Sequence, residues 1–158
     1  MSSLPVSHRA RVRPDWLDYN GHMNEAFYLV VFGEATDGFM AGLGWDAAYR
    51  ERTGHTIYTA QTHITYLREA DLGQDLTVTT QILDLDAKRV HLFHAMALAD
   101  TDTLLATDEI MTLSVDLGTR KVAPWPEDLQ ARLDAVFTRH RPLPRPPQAG
   151  RPIAIRRT

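Results

Sequence analysis

Residues 24–43, NEAFYLVVFGEATDGFMAGL, decide how the rest of the chain is read. Phe27, Tyr28, Val31, Ala35, Phe39 and Leu43 recur at intervals of three and four, which places them on one face of a helix. Asn24 offers a side-chain oxygen where the first helical N–H groups need acceptors, and Gly44 is a natural stop. Beyond this helix the period changes to two. Segments 56–67, 75–85, 89–99 and 103–116 alternate and are enriched in β-branched and aromatic residues, as half-buried strands require. The separators 70–74, 86–88 and 100–102 are too short for parallel crossovers, so these strands pair antiparallel. Residues 6–13 alternate more weakly and predict a first strand ended by Pro14. Residues 126–138, opened by Pro126, Glu127 and Asp128, predict a short last helix. The resulting order is strand, long helix, four antiparallel strands, short helix: an α+β architecture with a curved sheet wrapped around a central helix.

The 158 residues are one domain's worth, and at 44% hydrophobic they fill a core without covalent staples. The chain has no cysteine, which excludes disulfides, thiolate metal sites and a cysteine nucleophile, and is in keeping with the cytoplasm. No apolar run approaches the length of a membrane span, and residues 1–16 lack the apolar stretch of a signal peptide. Charge is unevenly placed. Residues 139–158 carry six arginines and no acid, so the rest of the chain holds −9 of a net −3. Five of the nine prolines fall in the same tail, which excludes regular helix or central strand there. The sequence therefore divides into a domain at 1–140 and a basic tail at 141–158, expected to lie along the acidic body or on a partner subunit rather than on nucleic acid.

Chemistry concentrates in Asp18-Tyr19-Asn20-Gly21-His22-Met23-Asn24-Glu25. A carboxylate, an amide and an imidazole precede a helix start, whose free N–H groups and partial positive charge suit an oxyanion. Asp18 could attack a carbonyl or deprotonate water, and Gly21 would allow close backbone approach. The same residues could equally do no more than satisfy turn amides.

This segment, followed by Tyr28 and Glu34, resembles the D-x-x-G-H-x-N region of the 4-hydroxybenzoyl-CoA thioesterase family. Five runs (16–23, 32–37, 62–64, 88–94 and 105–107) are similar to the betainyl-CoA branch of such enzymes. The resemblance implies a hotdog fold, a homodimer or homotetramer, and hydrolysis of an acyl-CoA without metal or cofactor. It places Asp18 on the catalytic carboxylate and the Glu25 N–H near the oxyanion donor. Asn24 then either positions a water or caps the helix.

The remaining candidates each have two readings. His22 either contacts Asp18 and the substrate or donates structurally. His63 either lines the substrate end of the pocket or is a satisfied strand histidine. Glu34 either binds a cation or orients the catalytic water, or it is a structural partner for a strand residue such as Arg68 or Thr107. His91 and His94 lie an odd number apart on one strand and cannot share a metal. A trimethylammonium acyl group would be held by aromatic rings and carboxylates, and Trp16, Tyr19 and Tyr28 flank the loop. Arg89, Arg120 and Lys121 are the cations expected to meet CoA phosphates. A hydratase on the same fold, or an acyl-CoA sensor, are the rival functions; the sensor would need a DNA-binding module for which residues 1–5 leave no room.

Overall fold

The computed structural model describes residues 4–157. Strand β1 (Val6–Arg11) and a 3-10 turn at Pro14–Trp16 lead into α1 (Glu25–Ala41). A short helix α2 (Ala47–Thr53) precedes β2 (His55–Tyr66), β3 (Asp75–Leu85), β4 (Arg89–Leu98) and β5 (Leu104–Asp116). The two-residue β6 (Lys121–Val122) and α3 (Glu127–His140) complete the chain. The six-stranded sheet runs β1-β3-β4-β5-β2 with β6 on β5, and every pairing is antiparallel. It curls around α1, as the hydrophobic periods require.

Helix α2 was not expected from periodicity, because seven residues are too few to show a face. Its caps are nonetheless written in the sequence. The Asp46 side chain accepts the Tyr49 N–H at 2.8 Å, and Gly54 ends the helix in the left-handed region (φ 67°).

Helix α1 buries Tyr28, Val31, Phe32, Ala35, Thr36 and Met40, while Phe27, Phe39 and Leu43 are only half-buried. The stripe expected from Phe39 and Leu43 is therefore rotated toward Phe32 and Met40. The helix is apolar on more than one side, and Leu29 and Val30 remain exposed. It packs over β1 and β3, meets β4 where Thr36 and Phe32 contact His94, and touches β5. Gly38 sets this approach: a Cβ there would lie 2.3 Å from the Ser7 carbonyl oxygen of β1. Backbone cannot retreat as a side chain can, so Gly38→Ala should cost roughly 1–3 kcal/mol, measured by denaturant unfolding.

One half of the core gathers Val12, Trp16, Met23 and Tyr28 under the start of α1. The other gathers Met40, Trp45, Tyr49, Leu129 and Leu133 between the end of α1 and α3. Between them lies His94, fully buried on β4. Its Nε2 meets Thr36 Oγ1 at 2.8 Å and its Nδ1 meets Thr80 Oγ1 at 2.9 Å, so both nitrogens are satisfied while the ring stays neutral. Thr80 Oγ1 in turn donates to Ser7 Oγ at 2.7 Å. His91 points to the other face, where its Nε2 is 3.0 Å from Glu109 Oε1.

Burial pushes the His94 pKa down to about 3 from its ordinary 6.5. As pH falls below that ordinary value the unfolded chain takes up a proton that the folded chain refuses, so His94 makes stability fall with falling pH. Burial has the opposite effect at Asp108, raised to about 6 from 3.8: the folded chain holds the extra proton, and stability is gained as pH falls through that window. Replacing His94 by Asn should therefore flatten the loss of unfolding free energy between about pH 7 and pH 5 in urea titrations.

The Pro/Arg tail lies on the sheet face opposite α1. The Gly150 N–H donates to Glu109 Oε2 at 2.6 Å, and Gln81 Nε2 donates to the Pro144 carbonyl at 3.4 Å. A groove of about 380 Å³ remains beneath it, lined by His63, His91, Glu109 and Arg151 among others.

Candidate active site

The loop ahead of α1 is a small hairpin. Leu17 bridges to Met23, the Asp18 N–H donates to the His22 carbonyl at 2.9 Å, and the Gly21 N–H donates to the Asp18 carbonyl at 3.0 Å. Gly21 closes the turn at φ 78°, a conformation that strains any residue with a Cβ. The hairpin is pinned from outside by Met23 N–H to Ala70 O and Asn24 N–H to Trp16 O, both 2.8 Å. One carboxylate oxygen of Asp18 accepts the Asn20 N–H at 2.8 Å, which fixes the half-buried side chain by one atom and leaves the other oxygen available.

Asn24 caps the helix. Its Oδ1 accepts the Ala26 N–H at 2.9 Å, and its carbonyl accepts the Phe27 N–H at 3.0 Å. The Glu25 N–H finds no acceptor among the described residues and is the first free donor of α1. The Glu25 carbonyl accepts the Tyr66 hydroxyl at 2.9 Å, tying the helix start to β2. Tyr66 stacks edge-on against Tyr28 with centroids 5.1 Å apart. Burial and the charges of Glu25 and Asp108 raise the Tyr66 pKa, so this hydroxyl stays a donor.

The structure brings Asp18, Asn24 and Glu25 together at the helix start and sorts the other candidates differently. His22 does not meet Asp18: its Nδ1 pairs with Asp71 Oδ1 at 2.8 Å. Trp16 is buried and stacks on Phe27 at 5.6 Å, with the Arg13 guanidinium 5.2 Å from its ring centroid. Tyr28 is likewise core, its hydroxyl 3.4 Å from the Arg68 carbonyl. Tyr19 is 98% exposed at the turn tip. Glu34 pairs with His8 Nε2 at 2.9 Å rather than with Arg68 or Thr107, because it lies on the flank of α1 that faces β1.

His63 lies outside the substrate end where it was expected. Its neighbour Ile64 packs into the core beneath α1, so alternation sends His63 to the tail side of the sheet. The proposed CoA cations are also displaced. Tyr66, at the helix start, is opposite Ala106, whereas Arg89 is opposite Leu113 and Lys121 opposite Asp116. Along β5 the Tyr66 level is seven residues, about 23 Å, from that of Arg89 and ten residues, about 33 Å, from that of Lys121. Arg89 is moreover paired with Asp86, and Arg120 sits in the β5–β6 turn at φ 59°. Sequence spacing could not show this, because it does not say which end of an antiparallel strand meets the helix.

A curled antiparallel sheet holding a helix, with an acid-bearing hairpin feeding the free N–H groups at that helix's start, defines a hotdog domain. The chain belongs to the thioesterase-like superfamily, whose family model matches residues 12–133. It is 40% identical over 155 residues to the betainyl-CoA thioesterase of Pseudomonas aeruginosa, covering 98% of both chains and so extending into the Pro/Arg tail. It is 42% identical over 147 residues to the L-carnitine dehydrogenase/betainyl-CoA thioesterase of Rhizobium meliloti, covering 93% of this chain but 29% of that longer protein. Among solved structures, SAV2348 of Staphylococcus aureus in complex with CoA is similar at a TM-score of 0.89, with 31% identity and 99% of each chain covered.

The capping role of Asn24 has a direct check. Asn24→Ala should lower unfolding free energy by about 1 kcal/mol, whereas Asn24→Asp, which keeps the acceptor, should leave it nearly unchanged.

Proposed function

We propose that the protein hydrolyses short acyl-CoA thioesters, with betainyl-CoA as its substrate and glycine betaine and CoA as products. The observation that carries this reading is a carboxylate held by a single oxygen in a hairpin whose next element is a helix with its first N–H unpaired. A thioester oxygen resting against the Glu25 N–H gains charge as the carbonyl is attacked, and the N-terminal end of α1 stabilises that charge. The free oxygen of Asp18 either attacks the carbonyl carbon or takes a proton from the attacking water. Sulfur is a good leaving group, so the products separate without a metal or a cofactor being invoked.

The relatives named above support betaine as the acyl group, as does the acidic character of the body outside the tail. A cytoplasmic enzyme is in keeping with a CoA substrate and a cysteine-free chain, and no helix among the described residues is long and apolar enough to cross a membrane. We read the active unit as a homo-oligomer. Among the described residues strand β2 pairs only with β5 along its twelve residues, and Tyr58 on that strand and Leu29 and Val30 on α1 stand exposed.

Asp18→Asn should lower kcat for thiol release from betainyl-CoA by at least about 100-fold with little change in KM and an unchanged unfolding curve. A variant that retains near wild-type kcat removes Asp18 from the chemistry. Single-turnover hydrolysis in heavy-oxygen water tests the direct route: label in the Asp18 side chain marks a mixed anhydride, formed as CoA thiolate leaves and opened by water at the aspartyl carbon, which base catalysis does not produce. The rival hydratase reading predicts no thiol release at all.

A further inference from the structure

The Pro/Arg tail crosses the sheet in one direction. Pro144 is bonded by Gln81 of β3, Gly150 is bonded to Glu109 of β5, and Gly150, Arg151 and Pro152 share a groove with Gln61, Thr62 and His63 of β2. In the order β1-β3-β4-β5-β2 these contacts lead to the outermost strand. Beyond Pro152 the tail makes no hydrogen bond or ion pair to the body among the described residues; the Arg156 Nη2 bond to the Pro152 carbonyl, 3.3 Å, lies within the tail. Ile153 is 91% exposed and Ile155 80%, whereas no other large aliphatic side chain among the described residues exceeds 53%. Isoleucine is among the residues most often buried, so two bare ones at the end of an otherwise anchored path call for a cover beyond the edge.

The chemistry of that cover can be read from the arm. Arg151, Arg156 and Arg157 flank the isoleucines and form no ion pair among the described residues. A matching surface is acidic with an apolar spot, and this chain has both. Residues 1–138 carry a net −9. Tyr58 of β2 is half-exposed and lies on the tail side of the sheet, because its neighbour Ile57 packs into the core. The protomer's own Tyr58 leaves the isoleucines uncovered, so the surface in question belongs to another copy.

The register brings the two together. The outer edge of β2 is unpaired among the described residues, and a copy paired there antiparallel would continue the sheet. Full-length pairing of His55–Tyr66 with itself puts the twofold axis between positions 60 and 61, which sets 61–63 opposite 58–60 of the second copy. The tail leaves its own sheet at the level of 61–63 and so arrives beside Tyr58 across the junction. Residues 153–157 span about 17 Å when extended, and strands lie about 4.8 Å apart, enough to cover the partner's β2 and β5.

We infer that residues 151–157 form an exchanged arm, which crosses the open β2 edge and docks on the tail-side face of a second copy's sheet, Ile153 and Ile155 resting around Tyr58. About a twofold axis the exchange is reciprocal. The inference rests on the homo-oligomer reading above and assigns the segment by which each copy holds the other.

The test places the photo-reactive residue p-benzoylphenylalanine at Ala154 of the full chain, which keeps both isoleucines, and irradiates an equal mixture of heavy-nitrogen and unlabelled copies after subunit exchange. The expected product has twice the subunit mass, joins a heavy to a light peptide, and maps to the tail-side residues of β2 or β5. In a dilution series by sedimentation velocity, Ile153→Asp with Ile155→Asp should weaken self-association at least about 10-fold. Cross-links confined to one chain, cross-links on the α1 side of the second copy, or a dissociation constant unchanged in the double variant overturn the inference while leaving the oligomer in place. A wild-type chain that sediments as a monomer overturns the homo-oligomer reading and this inference together.

Discussion

Two main-chain hydrogen bonds, from Met23 N–H to Ala70 O and from Asn24 N–H to Trp16 O, hold the start of α1 against the strand-end loop that carries Ala70 and against the 3-10 turn that ends at Trp16. A helix start is a useful electrostatic device only if its free N–H groups point at a fixed place. These two contacts fix that place. They also set where the hairpin turns back, and therefore where the Asp18 carboxylate stands relative to the Glu25 amide. The Asn24 cap satisfies the second turn amide and leaves the first one unspent. The packing of Trp16 on Phe27 below, and of Tyr28 on Tyr66 beside it, gives the junction a hydrophobic floor that resists fraying. Polar chemistry at the rim thus depends on apolar packing immediately underneath.

The strands and both longer helices could be read from periodicity because each is long enough to show a face, and their ends agree with expectation to within a residue or two. Helix α2 was hidden by its brevity, and β6 by its two residues. The helix start and its acid were also readable, since Asp18, Gly21, Asn24 and Glu25 act through local backbone geometry that a short stretch of sequence encodes. What could not be read was anything that depends on which strand end meets which helix end. That is why Arg89, Arg120 and Lys121 fall at the far end of the sheet, and why His63 falls on the tail side. Asp108 was missed for a related reason. In an alternating strand a lone acid looks like a solvent-facing residue, and only the sheet order reveals that this one lies under a helix.

The sheet separates two electrostatic regimes. On the α1 side polar groups are few and almost all are satisfied: His94 by two threonines, His55 by Trp45 and Ser114. Asp108 stands out against that background, and among the described residues Thr112 Oγ1 is the only other buried side-chain polar atom without a hydrogen-bond partner. On the opposite side the surface is wet and ionic, with His91, Glu109 and the arginine-bearing tail in contact. A charge placed on the first side is felt strongly because little screens it, whereas charges on the second are damped by solvent. Substitutions of equal chemical size should therefore weigh differently on the two faces.

The anchoring of Gly150 on Glu109 has a practical corollary. Because the last segment is drawn across the back of the sheet, whatever is joined to it departs from the molecule pointing away from the helix side. A surface tether, reporter or carrier linked at that end would present the reactive rim outward and unobstructed.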